Sequence, residues 1–327
     1  KDIKMRKNLL FLLCMLLTVF TFSTGIFAAD AWDGSVDTSW YKAEDTSFEI
    51  SNGKELAGLA AIVNGNASGI TKSNFEGKTI TLTADIDLGN KEWTAISTSS
   101  GSAFKGVFNG DGKTISNLRL KSGTGGLFGY NRGTIKNFTI KSDKLTEKTG
   151  SNQGAFVKEN YGVILSCLNY ADIDGSGNGG IASKNFTNAC IVACANFGNI
   201  TAANGNGSIG GIVAYNYGGK IHSCYNRGTI TGSMGIGGIA GEGSSGSSQG
   251  IFVNCYNAGV VTRYEGSFGT YGSISGFNFN ASSLNNLALS TDTFNNGVPA
   301  MGAKTPTDAQ VKNVDEATLK GAAATLG

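Results

Sequence analysis

The sequence predicts an all-β protein: a right-handed parallel β-solenoid of about eight coils with short helical caps at its ends. Three observations carry this reading. Related segments recur at intervals of 20 to 31 residues, which are too small to fold alone and bury their apolar face only by stacking. Each segment is a set of short Ile, Val, Phe and Thr runs broken by Gly and Asn, with no amphipathic helical stretch between them. The composition, finally, supports a packed β core. Of 327 residues 49 are Gly and 2 are Pro, 40% are hydrophobic and 15% charged, which excludes collagen, proline-rich linkers and a disordered polyelectrolyte. A propeller is the main structural alternative, disfavoured because a blade needs about 40 residues and the 20-residue copies are too short.

The elements follow in order. Lys4, Arg6 and Lys7 precede an apolar run over residues 9–22 and then the small residues Ala28, Ala29 and Ala31, the pattern of a secretory signal peptide at 1–31. The run is too short for a membrane span, and no later segment is apolar enough to span after cleavage. Met5 is the first methionine, so the four residues before it read as upstream sequence. Residues 32–103 form an N-terminal cap and first coils, with an amphipathic helix over 53–63 and a strand within 78–88. Residues 104–291 are the repeats. Gly106-Val107-Phe108, continuing to Ile115 and Leu120, returns 20 residues later as Gly126-Leu127-Phe128, continuing to Ile135 and Ile140, which reads as one unit written twice. Further copies run from Ala155, Gly180, Gly211 and Gly238, and a last one spans 284–289. Residues 292–327 read as a C-terminal linker with a helix over 307–319 opened by Thr307 and Gln310, in a segment open to truncation.

Stacked coils place like residues above one another. Asn131, Asn160, Asn185 and Asn216 share one register, and Asn169, Asn196, Asn226 and Asn257 share another. Asn tolerates left-handed turns, and its amide both donates and accepts along a stack, so both sets read as structural ladders. Cys167, Cys194, Cys224 and Cys255, each two residues before a member of the second set, read as a third ladder of small buried hydrophobes. Phe138 in the same register argues for packing, and Cys190-x-x-x-Cys194 has the wrong spacing for a zinc ribbon. Tyr161, Phe186 and Tyr217 directly follow the first Asn set and are the candidate glycan contacts along one edge.

Charge narrows the function. Lys and Arg total 26 and Asp and Glu 24; removing residues 1–31 leaves 22 of each, so the mature chain has no electrostatic footprint for nucleic acid. A single His, His222, excludes multi-histidine metal centres. Asp85, Asp87, Asp111, Asp172 and Asp174, with Arg119, Arg132 and Arg227, are the groups a β-helix lyase or hydrolase would draw on. Their alternation with inward Ile instead points them to solvent, and no catalytic residue, cofactor or metal site is assigned.

Gly126-Leu127-Phe128-Gly129 followed by Gly133-Thr134-Ile135-Lys136-Asn137-Phe138 resembles the GLUG motif of bacterial secreted and surface proteins, and residues 104–115 resemble its lead-in. In later copies Lys158, Ser183, Ala214 and Gly241 take the place of Gly129. The resemblance covers roughly 40–290 and implies an exported, adhesin-like β-solenoid without catalytic residues of its own, in some chains beside a peptidase. The expected partners are polysaccharide, host matrix or neighbouring surface proteins, with secretion or surface display as the location. The alternatives are a polysaccharide lyase or glycoside hydrolase, or the non-catalytic part of a longer surface peptidase.

Overall fold

The computed structural model describes residues 30–121, 125–145, 151–202, 207–245, 248–265, 267, 269–277, 282–284, 286–289 and 311–314. The signal segment lies outside these except for its last two residues, and the unit from Ala31 onward is a parallel β-solenoid. Its strands are two to eight residues long, and the Thr79–Leu82 strand is typical, turning Ile80 and Leu82 inward while its threonines face out. Five faces are visited in turn by a coil such as 190–217: Cys190–Val192 on face 1, Ala195–Asn196 on face 2, Ile200–Thr201 on face 3, Ile209–Gly210 on face 4 and Val213–Tyr217 on face 5.

The register on face 1 fixes the coil length. Phe48, Ile80, Phe108, Ile135, Ile164, Ile191, Ile221, Phe252 and Ser283 are successive Cα partners. The first of these eight intervals is taken up by the helical cap, and seven complete coils of 27 to 31 residues follow. At about 4.8 Å per step the stack from Phe48 to Ser283 rises roughly 38 Å.

This register corrects the 20-residue unit. Phe108 pairs with Ile135 on face 1, whereas Phe128 pairs with Val157 on face 5 and bridges to Ile96. The two similar segments therefore open on different faces of the same coil. They look alike because both faces ask for the same local pattern: a Gly against neighbouring backbone, then an inward apolar side chain. A Cβ on Gly106 would sit 2.7 Å from the Phe75 carbonyl oxygen, and one on Gly126 2.7 Å from that of Gly154.

Each Asn register occupies a corner. Asn131, Asn160, Asn185 and Asn216 stack where face 5 turns into face 1, each Nδ2 donating to the next Oδ1 at 2.8 to 2.9 Å. Asn169, Asn196, Asn226 and Asn257 do the same at the corner after face 2, at 2.7 to 2.8 Å. All eight side chains are fully buried, and the second donor proton of the amide closes its own turn, as in Asn196 Nδ2 to the Gly198 carbonyl at 2.8 Å. The second ladder also explains a glycine. A Cβ on Gly180, Gly211 or Gly238 would lie within 2.5 Å of the side chains of Asn196, Asn226 and Asn257 respectively.

The third corner, between faces 1 and 2, carries no side-chain ladder. Asn137, Ser166, Ala193, Ser223 and Asn254 hold it with φ between 51° and 59°. Each stands one residue before Phe138 or a member of the Cys column, so a single left-handed residue reverses the pleat and aims the next side chain inward.

The core changes character along the axis. Phe48, Phe75, Phe104, Phe128, Phe108, Phe138 and Phe156 form a continuous chain of ring contacts at 4.9 to 6.3 Å in the N-terminal coils. Beyond Phe156, stacked Ile side chains and the Cys column replace them. At the N-terminal end α1, Gly53–Asn64, has Asn52 as N-cap and Gly65 in the left-handed region as C-cap, and it buries Leu56, Leu59, Ile62 and Val63 in the same core. The helix expected over 307–319 is not formed at Val311–Val314. Those residues instead extend the sheet by pairing in parallel with Asn286–Leu289, because an open strand edge offers backbone partners at every residue.

Two predictions follow from these corners. Asn196→Ala orphans the Asn169 amide proton, the Asn226 carbonyl and the Gly198 carbonyl in a buried stack, and should lower stability by about 3–5 kcal/mol in urea titration. Ala193 is exposed, so relief of its left-handed strain should be cleanly measurable. Ala193→Asn should gain about 0.5–1 kcal/mol and Ala193→Val should lose about 1–2 kcal/mol.

Candidate binding face

On face 5 the strands Phe128–Asn131, Val157–Asn160, Ala182–Phe186, Val213–Tyr217 and Ala240–Glu242 alternate inward and outward side chains, so two outward columns run along the axis. The first contains Arg132, Tyr161, Phe186 and Tyr217, in the position directly after the Asn ladder. Tyr161 and Phe186 lie parallel, with ring centroids 4.4 Å apart and planes within 3°, and Tyr217 meets Phe186 edge-on at 5.8 Å. The Arg132 guanidinium covers the other face of Tyr161 at 4.6 Å. The three sequence-selected aromatics are thus together and half-buried, with Tyr161 covered on both faces, so the column offers ring edges and hydroxyl groups outward.

The second column was not legible as a site in the sequence. It stacks Tyr130, Glu159, Lys184, Tyr215 and Glu242 in register. Lys184 pairs with Glu159 at 3.4 Å, and Glu159 accepts from the Tyr161 hydroxyl at 2.9 Å, which ties the columns together. Burial, with the Glu159 carboxylate adding to it, pushes Tyr161 up to about 12, and burial raises Tyr130, Tyr215 and Tyr217 as well. All four phenols stay neutral at physiological pH and act as hydrogen-bonding groups. Burial likewise raises the Glu242 carboxyl. Glu159 and Glu242 stand three rungs apart, about 14 Å along the axis, beyond the roughly 5–10 Å that a glycosidase carboxylate pair needs.

The other candidate residues are occupied structurally. Asp85 accepts the Thr114 backbone N–H at 2.7 Å and Asp172 that of Asn199 at 2.7 Å, each tying one coil to the next. Asp87 accepts from Gly89 N–H and Asn117 Nδ2, both at 2.8 Å, and Asp174 pairs with Lys144. Asp111 is exposed in a left-handed turn. Arg132 is engaged on Tyr161, and Arg227 is exposed on the outer surface, as is His222, whose Nδ1 meets the adjacent Ser223 Oγ at 2.9 Å. Asp85, Asp87, Asp172 and Asp174 are therefore coil-to-coil ties spread over several faces. Among the described residues no group of three His, Cys, Asp or Glu side chains is placed to hold a metal ion.

The cysteines pack in a column. Cys167, Cys194, Cys224 and Cys255 are buried free thiols, in register with Phe138 before them, and each Sγ lies 3.2 to 3.4 Å from the carbonyl oxygen two residues earlier. Burial is the largest influence on Cys167, Cys194 and Cys224 and favours the neutral thiol at each. Cys190 differs, pairing with Val163 and Lys220 on the outward side of face 1.

Residues 205–231 match the GLUG motif. The chain thus carries a GLUG motif within its repeat array. The matched stretch holds the elements that define a coil: Gly211 against the Asn226 ladder, Asn216 in the other ladder and Cys224 in the thiol column. It lies in the same register as Gly126-Leu127-Phe128, three coils earlier, so the GLUG pattern is the sequence of the coil corner itself. Halomucin of Haloquadratum walsbyi is 30% identical over 169 residues, which are 46% of this chain and 2% of Halomucin, so the chain spans a small fraction of that relative's length. A crystal structure of a candidate immunoglobulin A1 protease from Bacteroides ovatus superposes with a TM-score of 0.66 at 20% identity, covering 86% of this chain and 88% of that one. That similarity is one of fold.

The exposure difference among the thiols is directly testable. Maleimide labelling of the native protein should modify Cys190 within minutes and leave Cys167, Cys194, Cys224 and Cys255 unmodified until urea is added, as read by peptide mass mapping.

Proposed function

We propose that this chain is an extracellular binding solenoid that contacts glycans or neighbouring surface proteins, and that it contributes no catalytic residues. The observation that carries the reading is the outer surface of face 5, where five successive rungs present Tyr130, Glu159, Lys184, Tyr215 and Glu242 beside the Arg132, Tyr161, Phe186, Tyr217 column. Aromatic side chains on an outward sheet face supply contact area and hydroxyl donors at low entropy cost, which is the chemistry of a recognition surface. Repetition at about 4.8 Å per rung suits a partner that is itself repetitive, held by many weak contacts. The neutral mature sequence supports a partner recognised by stacking and hydrogen bonding rather than by net charge. The wide spacing of Glu159 and Glu242 disfavours the hydrolase alternative at this face.

Secretion or surface display is part of the proposal and rests on the N-terminal targeting pattern together with the solenoid architecture. The chain from residue 32 onward should be retained on bacterial, plant or host polysaccharide without releasing oligosaccharide, with or without calcium. Release of oligosaccharide would make the chain an enzyme. Failure of every polysaccharide to retain it would leave the protein-partner branch.

A further inference from the structure

Face 5 is not the only aromatic column. At the corner after face 2, Tyr170 follows the ladder residue Asn169 as Tyr161 follows Asn160, and its ring lies parallel to that of Phe197 on the next coil, 4.6 Å apart with planes within 8°. The outcome differs from Tyr161 in one respect. The position one coil earlier in the same register, after Ile140, is Lys141, and no described cation or ring lies against the second face of Tyr170. Tyr170 is 45% exposed, one of the few large side chains so open on this surface.

That second face borders a cleft of about 530 Å³. Its other walls include Asn117, Lys141, Ser142, Asp143 and Asp172. Apart from Asp172, beside Tyr170 on its own coil, these residues come from the two coils on the side of Tyr170 away from Phe197. A ring parallel to Phe197 therefore turns its open face into the cleft. The polar groups around it are held in place. Asp172 Oδ1 accepts the Asn199 N–H at 2.7 Å, Asn117 Nδ2 donates to Asp87 at 2.8 Å, and Ser142 Oγ accepts the Leu118 N–H at 2.8 Å. Lys141 and Asp143 are exposed at the mouth.

We propose that this cleft is a saccharide subsite in which an uncharged hexopyranose lays its C–H face on Tyr170 and directs hydroxyl groups at Asp172, Asp143 and Asn117. The C–H face of a pyranose is apolar and removes ring surface from water, while carboxylate and amide groups accept and donate to its rim of hydroxyls. Fixed polar partners lose little freedom on binding. Two carboxylates against one lysine make the pocket unfavourable for uronic or sialic acids, which selects the uncharged class. The subsite rests on the glycan reading proposed above and narrows it to one place.

The test is isothermal titration of the chain from residue 32 onward with cellotetraose, chitotetraose, β-1,4-galactotetraose and tetragalacturonate. At least one uncharged tetrasaccharide should bind, and tetragalacturonate should bind more weakly. Tyr170→Ala should weaken that binding about tenfold or more, the size of one lost aromatic stack, with the β fold retained by circular dichroism. Tyr170→Phe should stay within about twofold, since the plane rather than the hydroxyl group is required. Equal binding by Tyr170→Ala and wild type, a loss in Tyr170→Phe as large as in Tyr170→Ala, or preference for tetragalacturonate would each overturn the subsite. If no tetrasaccharide binds but polysaccharides still retain the chain, the subsite falls and the glycan reading stands; if neither binds, both fall. Tyr161→Ala, tested in parallel, would reassign binding to face 5 if it alone abolished retention.

Discussion

The buried amide column is the constraint on which the rest of the coil depends. A solenoid must turn several times per coil, and each turn takes backbone N–H and C=O groups out of strand pairing and into a dry interior, where an unpaired group costs about 1–3 kcal/mol. An Asn at each of two corners solves this with one side chain. One amide proton closes the local turn, the other reaches the coil ahead, and the carbonyl receives the coil behind, so Asn160 or Asn196 is satisfied only when both neighbours are present. Stability is thereby coupled from coil to coil, and the ladder fixes the rung register on both sides of itself.

From that register the other features follow. The Asn at the corner after face 2 reaches across the flattened coil, so the residue opposite cannot carry a Cβ, and Gly180, Gly211 and Gly238 stand there. The left-handed residue between faces 1 and 2 aims Phe138 or a Cys inward, so a buried column of Phe138 and small thiols forms there. Outward positions are released from all of these demands. Tyr130, Glu159, Lys184, Tyr215 and Glu242 share one column although no packing rule relates them. Where the interior dictates sequence so fully, recognition chemistry is confined to the outward register.

This division explains what could be read from the sequence and what could not. The Asn and Cys columns recur with the same neighbours, so their spacing identified them before any coordinates. The left-handed corner was invisible because Asn137, Ser166, Ala193, Ser223 and Asn254 share a backbone angle and no side-chain type. The 20-residue match of 106–120 to 126–140 misled for a physical reason, since two faces of one coil impose the same Gly-then-apolar pattern and local likeness carries no information about which face a segment occupies. Val311–Val314 reversed an expected helix because a capping box is worth about 1 kcal/mol, less than a row of backbone partners on an open edge. The Glu159 and Lys184 column was missed because Lys158-Glu159-Asn160 and Ser183-Lys184-Asn185 read as ordinary polar flanks of the ladder.

The contrast between Tyr161 and Tyr170 shows how small a change converts packing into a surface for a partner. Both follow a ladder Asn, both stack in parallel on a Phe one coil ahead, and both have a basic residue one coil behind. Arg132 lays its planar guanidinium on Tyr161 and closes the column, because a delocalised and weakly hydrated cation gains from covering an aromatic face. Lys141, a compact and strongly hydrated ammonium, stays exposed at the mouth of a cleft and leaves the Tyr170 face uncovered. Two ladder corners thus produce a self-satisfied stack in one place and an open aromatic platform in another, and the difference lies in the one residue that precedes the ring in the column.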